Sequence, residues 1–200
     1  MPVFEWRCAI LTPMDVRTLE TITRLTARER RLIASLRGTP MEESADKLAA
    51  LADVARALDA LGASHAVVGG VAVGLRSGVP RATVDVDIAV RSTVSRQSII
   101  DALTGAGLRL TGTFAHSLNF RHASGEPVQL IFDAEFDPMI ERAEPLAVAG
   151  ARIRVVTTAD LIAMKERAAA DPARRRSKAL QDRADIELLR GDVPDENEGW

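Results

Sequence analysis

The chain has 200 residues, 46% of them hydrophobic and 27% charged, with 26 Lys plus Arg against 28 Asp plus Glu for a formal net charge of −2. That balance excludes a disordered or collagen-like build, and it gives no global basic charge of the kind that announces nucleic acid or a membrane surface. The lone Cys8 excludes a disulfide framework and a cysteine-based zinc site, and no apolar run approaches the roughly 18–20 residues of a membrane span, so a soluble, cytoplasmic domain without a membrane partner is expected.

Residues 1–40 read as an N-terminal arm: a short extended piece over 3–11, then a charged helical stretch ending at Gly38 and Pro40. Its apolar positions Leu19, Ile22, Leu25, Leu32, Ile33 and Leu36 recur at helical spacing. Such a stripe, if exposed, calls for a partner surface and suggests a homo-oligomer. A second helix opens at Met41, an alternative start, and carries the stripe Leu48, Leu51, Ala52, Ala55, Leu58 and Leu61 up to Gly62. From residue 65 the period changes. "HAVV" is a buried strand running into Gly69 and Gly70, "VAVGLRSG" a small helix, and "ATVDVDIAV" a strand whose period of two puts Asp85 and Asp87 on one face. "SRQSIIDALTGAG" is helical. "TFAHSLNFRH" and "PVQLIFDAEF" make a hairpin around "ASGEP", "DPMIERAEP" a short helix, and "ARIRVVT" a last strand. "TADLIAMKERAAA" is a capped helix and "ALQDRADIELLRG" the final one, ahead of an acidic tail over 191–200. The order predicts an α/β (α+β) domain over 41–190, a small mixed sheet flanked by helices.

The chemistry concentrates in residues 67–90. Two glycines at a strand-to-helix turn let phosphates approach main-chain N–H groups at a helix N-terminus. Two carboxylates at i and i+2 of a strand point the same way, roughly 6.5–7 Å apart, which suits shared coordination of Mg²⁺ (or Mn²⁺) together with substrate phosphates. A glycine cradle facing such a pair is what phosphoryl or nucleotidyl transfer requires. His65, His116 and His122 show no metal-ligand spacing, and no Ser-His-Asp or Cys-His arrangement is evident.

With fourteen residues between Gly70 and Asp85, the block "GGVAVGLRSGVPRATVDVDI" resembles the nucleotidyltransferase superfamily, the polymerase-beta-like fold, and is most similar to its AbiEii-type toxins, in which an Arg-x-Thr-x-Asp-x-Asp run is typical. Residues 157–189 resemble that group's closing pattern, a helix reading Asp-Leu-Ile-x-x-Lys, then an Arg-containing loop and a helix with Asp-x-x-Asp. The resemblance implies an NTP substrate over Gly69 and Gly70, metals on Asp85 and Asp87, and Lys165 on the triphosphate. It implies further nucleotide contacts at Asp182 and Asp185, and Arg81, four residues before Asp85, is a candidate to hold a phosphate. It also implies an RNA acceptor (the tRNA 3′ end among them) or a protein acceptor, and an antitoxin partner. The superfamily's third carboxylate falls at Gln129 in this sequence. Asp133, two pleats further on, is then the candidate third metal ligand, provided a bulge turns it inward. Gln129 also opens the alternative of a catalytically impaired nucleotide- or partner-binding member. Residues 165–190 hold eight basic and five acidic side chains, a local net of +3 that suits RNA or a triphosphate.

Overall fold

A computed structural model describes residues 13–38, 45–148 and 151–191. The extended piece over 3–11, Met41 and the acidic tail beyond 191 lie outside them. In chain order, α1 (Pro13–Arg37) and α2 (Lys47–Ala60) precede β1 (His65–Val68), α3 (Gly69–Ser77), β2 (Val86–Val90), α4 (Arg96–Gly105), β3 (Arg109–Thr113), β4 (Ser117–Arg121) and β5 (Pro127–Ile131). A single 3₁₀ turn (Ala134–Phe136) leads into α5 (Asp137–Arg142), β6 (Glu144–Val148), β7 (Ala151–Val155), α6 (Thr158–Ala170) and α7 (Arg176–Arg190).

The strands form one seven-stranded mixed sheet of order β3-β4-β5-β2-β1-β7-β6, with β1 parallel to β7 and β2 parallel to β5. Period two sorts its faces. Val86, Ile88, Leu118, Phe120, Val128 and Leu130 are buried in the core, whose covering helices are α2 and α4. The alternate positions Asp87, Gln129 and Asn119 stand side by side on the other face. The predicted strand over 82–90 begins only at Val86, and β3 and β6 are additional to the expected set.

α2 starts where Asp46 accepts a hydrogen bond from the Ala49 N–H at 3.0 Å, and it buries Ala50, Leu51, Val54, Ala55 and Leu58. Lys47 on this helix is fully buried against Glu126, which also meets Arg30 of α1 at 3.4 Å. Burial pushes the Lys47 ammonium down and the Glu126 carboxyl up, each partly countered by the other. His122 pairs with Asp53 of α2 at 3.0 Å, so the β4–β5 turn is tied to that helix by polar contacts. Of the predicted α1 stripe only Leu19 and Ile22 are buried, whereas Leu32 and Leu36 are 61% and 79% exposed. Among the described residues no helix is long and apolar enough to cross a membrane.

Candidate active site

β1 passes directly into α3 through Gly69, whose φ of +65° places it in the left-handed region. The turn is also crowded: a Cβ on Gly69 would lie 2.0 Å from Asp87 Oδ2. One on Gly70 would lie 2.5 Å from Thr83 Oγ1 and 3.0 Å from Arg81 Nη2. The two glycines therefore bring the backbone against the carboxylate and the "PRATVD" segment alike. No side chain caps α3 at Val68, which leaves first-turn amides for an anionic ligand. Gly69→Ala should cost about 1–3 kcal/mol of stability and displace Asp87, lowering nucleotide transfer at least about tenfold. Thermal denaturation beside steady-state transfer checks this, and a fully active variant contradicts it.

Asp87 sits in the middle of the site, opposite Val68 on β1 and Gln129 on β5. Burial, and then the neighbouring Asp85 charge, push its carboxyl up to about 7, while Lys165, Lys178 and Lys47 act in the opposite sense. Asp85 lies just ahead of β2, two residues before Asp87. Gln129 occupies the position beside Asp87 where a third carboxylate was sought, and its amide donates to Asn119 Oδ1 at 3.3 Å. Asp133 is not brought to the pair. It follows the end of β5, caps the 3₁₀ turn and lies 3.7 Å from His116. The register between β2 and β5 runs unbroken from Val86↔Val128 to Ala89↔Ile131, so the bulge that would turn Asp133 inward is absent from this pairing.

The remaining predicted residues converge in one buried ionic cluster. Lys165 Nζ lies 2.8 Å from Asp182 Oδ1 and 2.8 Å from Asp185 Oδ2. Arg174 Nε donates to Asp182 Oδ2 at 2.8 Å. Arg81 Nη2 donates to Asp185 Oδ2 at 2.8 Å, and its Nε stands 2.6 Å from Oδ1. Asp182 and Asp185 are 2% and 1% exposed and Lys165 is 7% exposed. The i, i+3 aspartates of α7 thus face inward and are held by Lys165, Arg174 and Arg81. Thr157 caps α6 by accepting from the Asp160 N–H at 3.2 Å, which sets the phase that turns Lys165 to α7.

A cleft of about 460 Å³ opens between these groups, lined by Gly69, Asp87, Gln129, Lys165, Arg174 and Asp182. Glu135 and Arg167, which meet at 3.6 Å, stand at its rim. A second cleft of similar size lies at the β3–β4 end and holds none of the predicted residues. Sequence reasoning missed Arg174 as the partner of Asp182, and Thr83 as the neighbour of Gly70. Thr83 lies inside the motif itself, and Arg174 inside the Arg-containing loop of the basic stretch over 165–190.

The donor set fits a divalent cation. Asp87 feels the charge of Asp85 and lies against the Gly69 backbone, where no Cβ would fit, so a cation there would relieve the repulsion. Among the described residues no group of three or more His, Cys, Asp or Glu gathers for a metal. The chain would therefore offer the two carboxylates and leave further positions to phosphate oxygens and water, the usual division for Mg²⁺.

Solved structures share this architecture. An antigenic nucleotidyltransferase-like protein from Paracoccidioides brasiliensis superposes with a TM-score of 0.52 at 26% identity, over 78% of this chain and 81% of that one. ANT(2″)-Ia in complex with adenylyl-2″-tobramycin superposes with a TM-score of 0.53 at 15% identity, over 74% and 90% of the two chains. No curated protein matches the sequence. Residues 49–198, from α2 through Lys165 and the α7 aspartates, match the model of the nucleotidyl transferase AbiEii toxin family of type IV TA systems, and the chain belongs to that family.

Proposed function

We propose that this chain transfers a nucleoside monophosphate from an NTP to a hydroxyl of RNA, with Mg²⁺ or Mn²⁺ held by Asp85 and Asp87. The observation that carries the reading is the convergence of Gly69, Asp87, Lys165 and Asp182 on one cleft from four separated stretches of sequence. In the reaction an acceptor oxygen forms a bond to the α-phosphorus, the α–β bridging bond breaks, pyrophosphate leaves, and the hydroxyl proton passes to solvent. A bound divalent cation would supply charge neutralisation and a lowered hydroxyl pKa.

The chain's own groups do the rest. The α3 N-terminus with Gly69 and Gly70 receives phosphate oxygens through main-chain N–H groups. Lys165 adds positive charge beside them, and Asp182 and Asp185 fix its ammonium through two contacts of 2.8 Å. Arg81, drawn to Asp185, orients that carboxylate as its first task. Support for a polyanionic acceptor comes from Arg167 and Arg174 on the cleft and from the exposed Arg175, Arg176 and Lys178 beyond it. An antitoxin partner fits the family and is part of the same proposal.

Gln129 favours a second reading, a member that binds Mg²⁺–NTP without turning it over. The experiment is transfer of α-³²P label from each NTP to total tRNA and to a lysate, beside the Asp85→Ala, Asp87→Ala double variant. Label moved to RNA by wild type only is the expected result, and label on protein instead replaces the acceptor class. No label from wild type, together with activity gained by Gln129→Asp, moves the conclusion to the second reading.

A further inference from the structure

The segment joining α3 to β2, residues 79–85, carries Arg81, Thr83 and Asp85 yet belongs to no helix or strand. Asp87 is held within β2, but Asp85 stands on irregular backbone just before it, and keeps its aim only if that backbone's polar groups are fixed from outside. Here they are fixed by α1. Thr26, 3% exposed, accepts from the Thr83 N–H at 3.2 Å. Its hydroxyl proton has two carbonyl acceptors in reach, that of Ile22 at 2.8 Å and that of Thr83 at 3.1 Å. One turn further, Arg30 Nη2 donates to the Val84 carbonyl, and its Nη1 reaches Glu126.

One turn before Thr26, Ile22 packs so closely on α3 that a Cβ on Gly74 would come within 2.6 Å of its Cδ1. α1 therefore grips both flanks of the glycine turn, α3 on one side and the Thr83–Val84 backbone on the other. Thr83 in turn presses its hydroxyl against Gly70. All of α1 lies outside the residues matched to the family.

We propose that α1 is a positioning element for the nucleotidyl-transfer site, with Thr26 and Arg30 as positioning residues that hold residues 83–84 and thereby aim Asp85 and Asp87 at the cation. This rests on the transfer reading above, but it makes a claim of its own about a helix that sequence reasoning set aside as an arm. A helix that merely filled space would stabilise the fold without altering how tightly the carboxylates take a metal.

The test uses the full chain. Thr26→Val keeps the shape and removes both hydrogen-bonding roles; Thr26→Ser restores them. Three quantities are read: amide hydrogen exchange of the 79–87 peptide, half-saturation by Mn²⁺ followed by the spectroscopic signal of the free ion, and kcat against KM for NTP.

The expected result for Thr26→Val is faster exchange confined to 79–87, an Mn²⁺ half-saturation raised about tenfold, and kcat lowered about tenfold with KM changed far less. Thr26→Ser should recover all three. A folded Thr26→Val with unchanged exchange and unchanged half-saturation overturns the proposal, and so does faster exchange with no shift in half-saturation. If Thr26→Val does not fold, Arg30→Met decides by the same readouts, because it removes the Val84 contact from a partly exposed side chain. Wild type that moves no label while exchange and Mn²⁺ binding shift as expected overturns the transfer reading and leaves the role of α1 standing.

Discussion

Asp87→Asn should lower nucleotide transfer by at least about 10³-fold, since several kcal/mol of transition-state charge stabilisation depends on this carboxylate. The same substitution should make the metal-free protein more stable above neutral pH. The folded state raises the Asp87 carboxyl from its ordinary 3.8 to about 7, through burial and the Asp85 charge. The folded chain therefore holds a proton that the unfolded chain has already released between those values, and stability falls as pH rises from about 4 through 7. Asparagine stays neutral throughout and escapes that loss. Discounted for the partial exposure of the site, the gain at pH 8 is on the order of 1–2 kcal/mol, or about 2–8 °C in Tm, and it vanishes near pH 4. Added Mg²⁺–NTP should reverse the order, raising the Tm of wild type and not of the variant. Thermal melts at pH 4 and pH 8, with and without ligand, check each sign. A variant less stable than wild type at pH 8 without metal would refute the electrostatic account.

Lys165→Met should be the most destabilising single change in the site. It removes the cation shared by two carboxylates that are nearly inaccessible to water. Breaking a buried pair from one side typically costs 3–5 kcal/mol. Arg174 and Arg81 still face the orphaned aspartates, which places the cost at the lower end, about 3 kcal/mol or a Tm fall of about 6–12 °C. Transfer should be lost as well at temperatures where the variant remains folded. Adding Asp182→Asn to Lys165→Met removes one stranded charge, and the double variant should recover part of the stability and none of the activity. Equal stability of Lys165→Met and wild type would show that the cluster does not hold α6 to α7.

Much of this was legible in the sequence because the relevant signals are local. Gly69-Gly70 at a strand-to-helix turn and the alternation from Val86 to Val90 specify their own geometry, whereas the family pattern, not the pleat, pointed to Gln129 as the neighbour of Asp87. β3 and β6 were not anticipated, and they are the two edges of the sheet. Each pairs on one side only, so hydrophobic alternation is weakly demanded there: β3 reads "RLTGT", with Arg109, Thr111 and Thr113 exposed and a glycine within it. The strand drawn over 82–90 was too long because its first residues answer to α1 and not to a neighbouring strand. No local pattern marks Thr26 as a partner of Thr83, for the two are 57 residues apart. Lys165 and its aspartates were identified by family pattern. Their pairing with Arg81, 104 residues from Asp185, appears only in the fold.

The ionic cluster has a consequence for how the protein is made. Gly69, Gly70, Asp85 and Asp87 leave the ribosome early, whereas the carboxylates that hold Lys165, Arg81 and Arg174 arrive only with α7. A chain that ends between residues 175 and 181 carries the glycine turn, Asp85 and Asp87, yet leaves Lys165, Arg81 and Arg174 without Asp182 and Asp185. Truncation ahead of Asp182 should therefore leave the site unassembled even with every residue of the glycine turn and β2 in place.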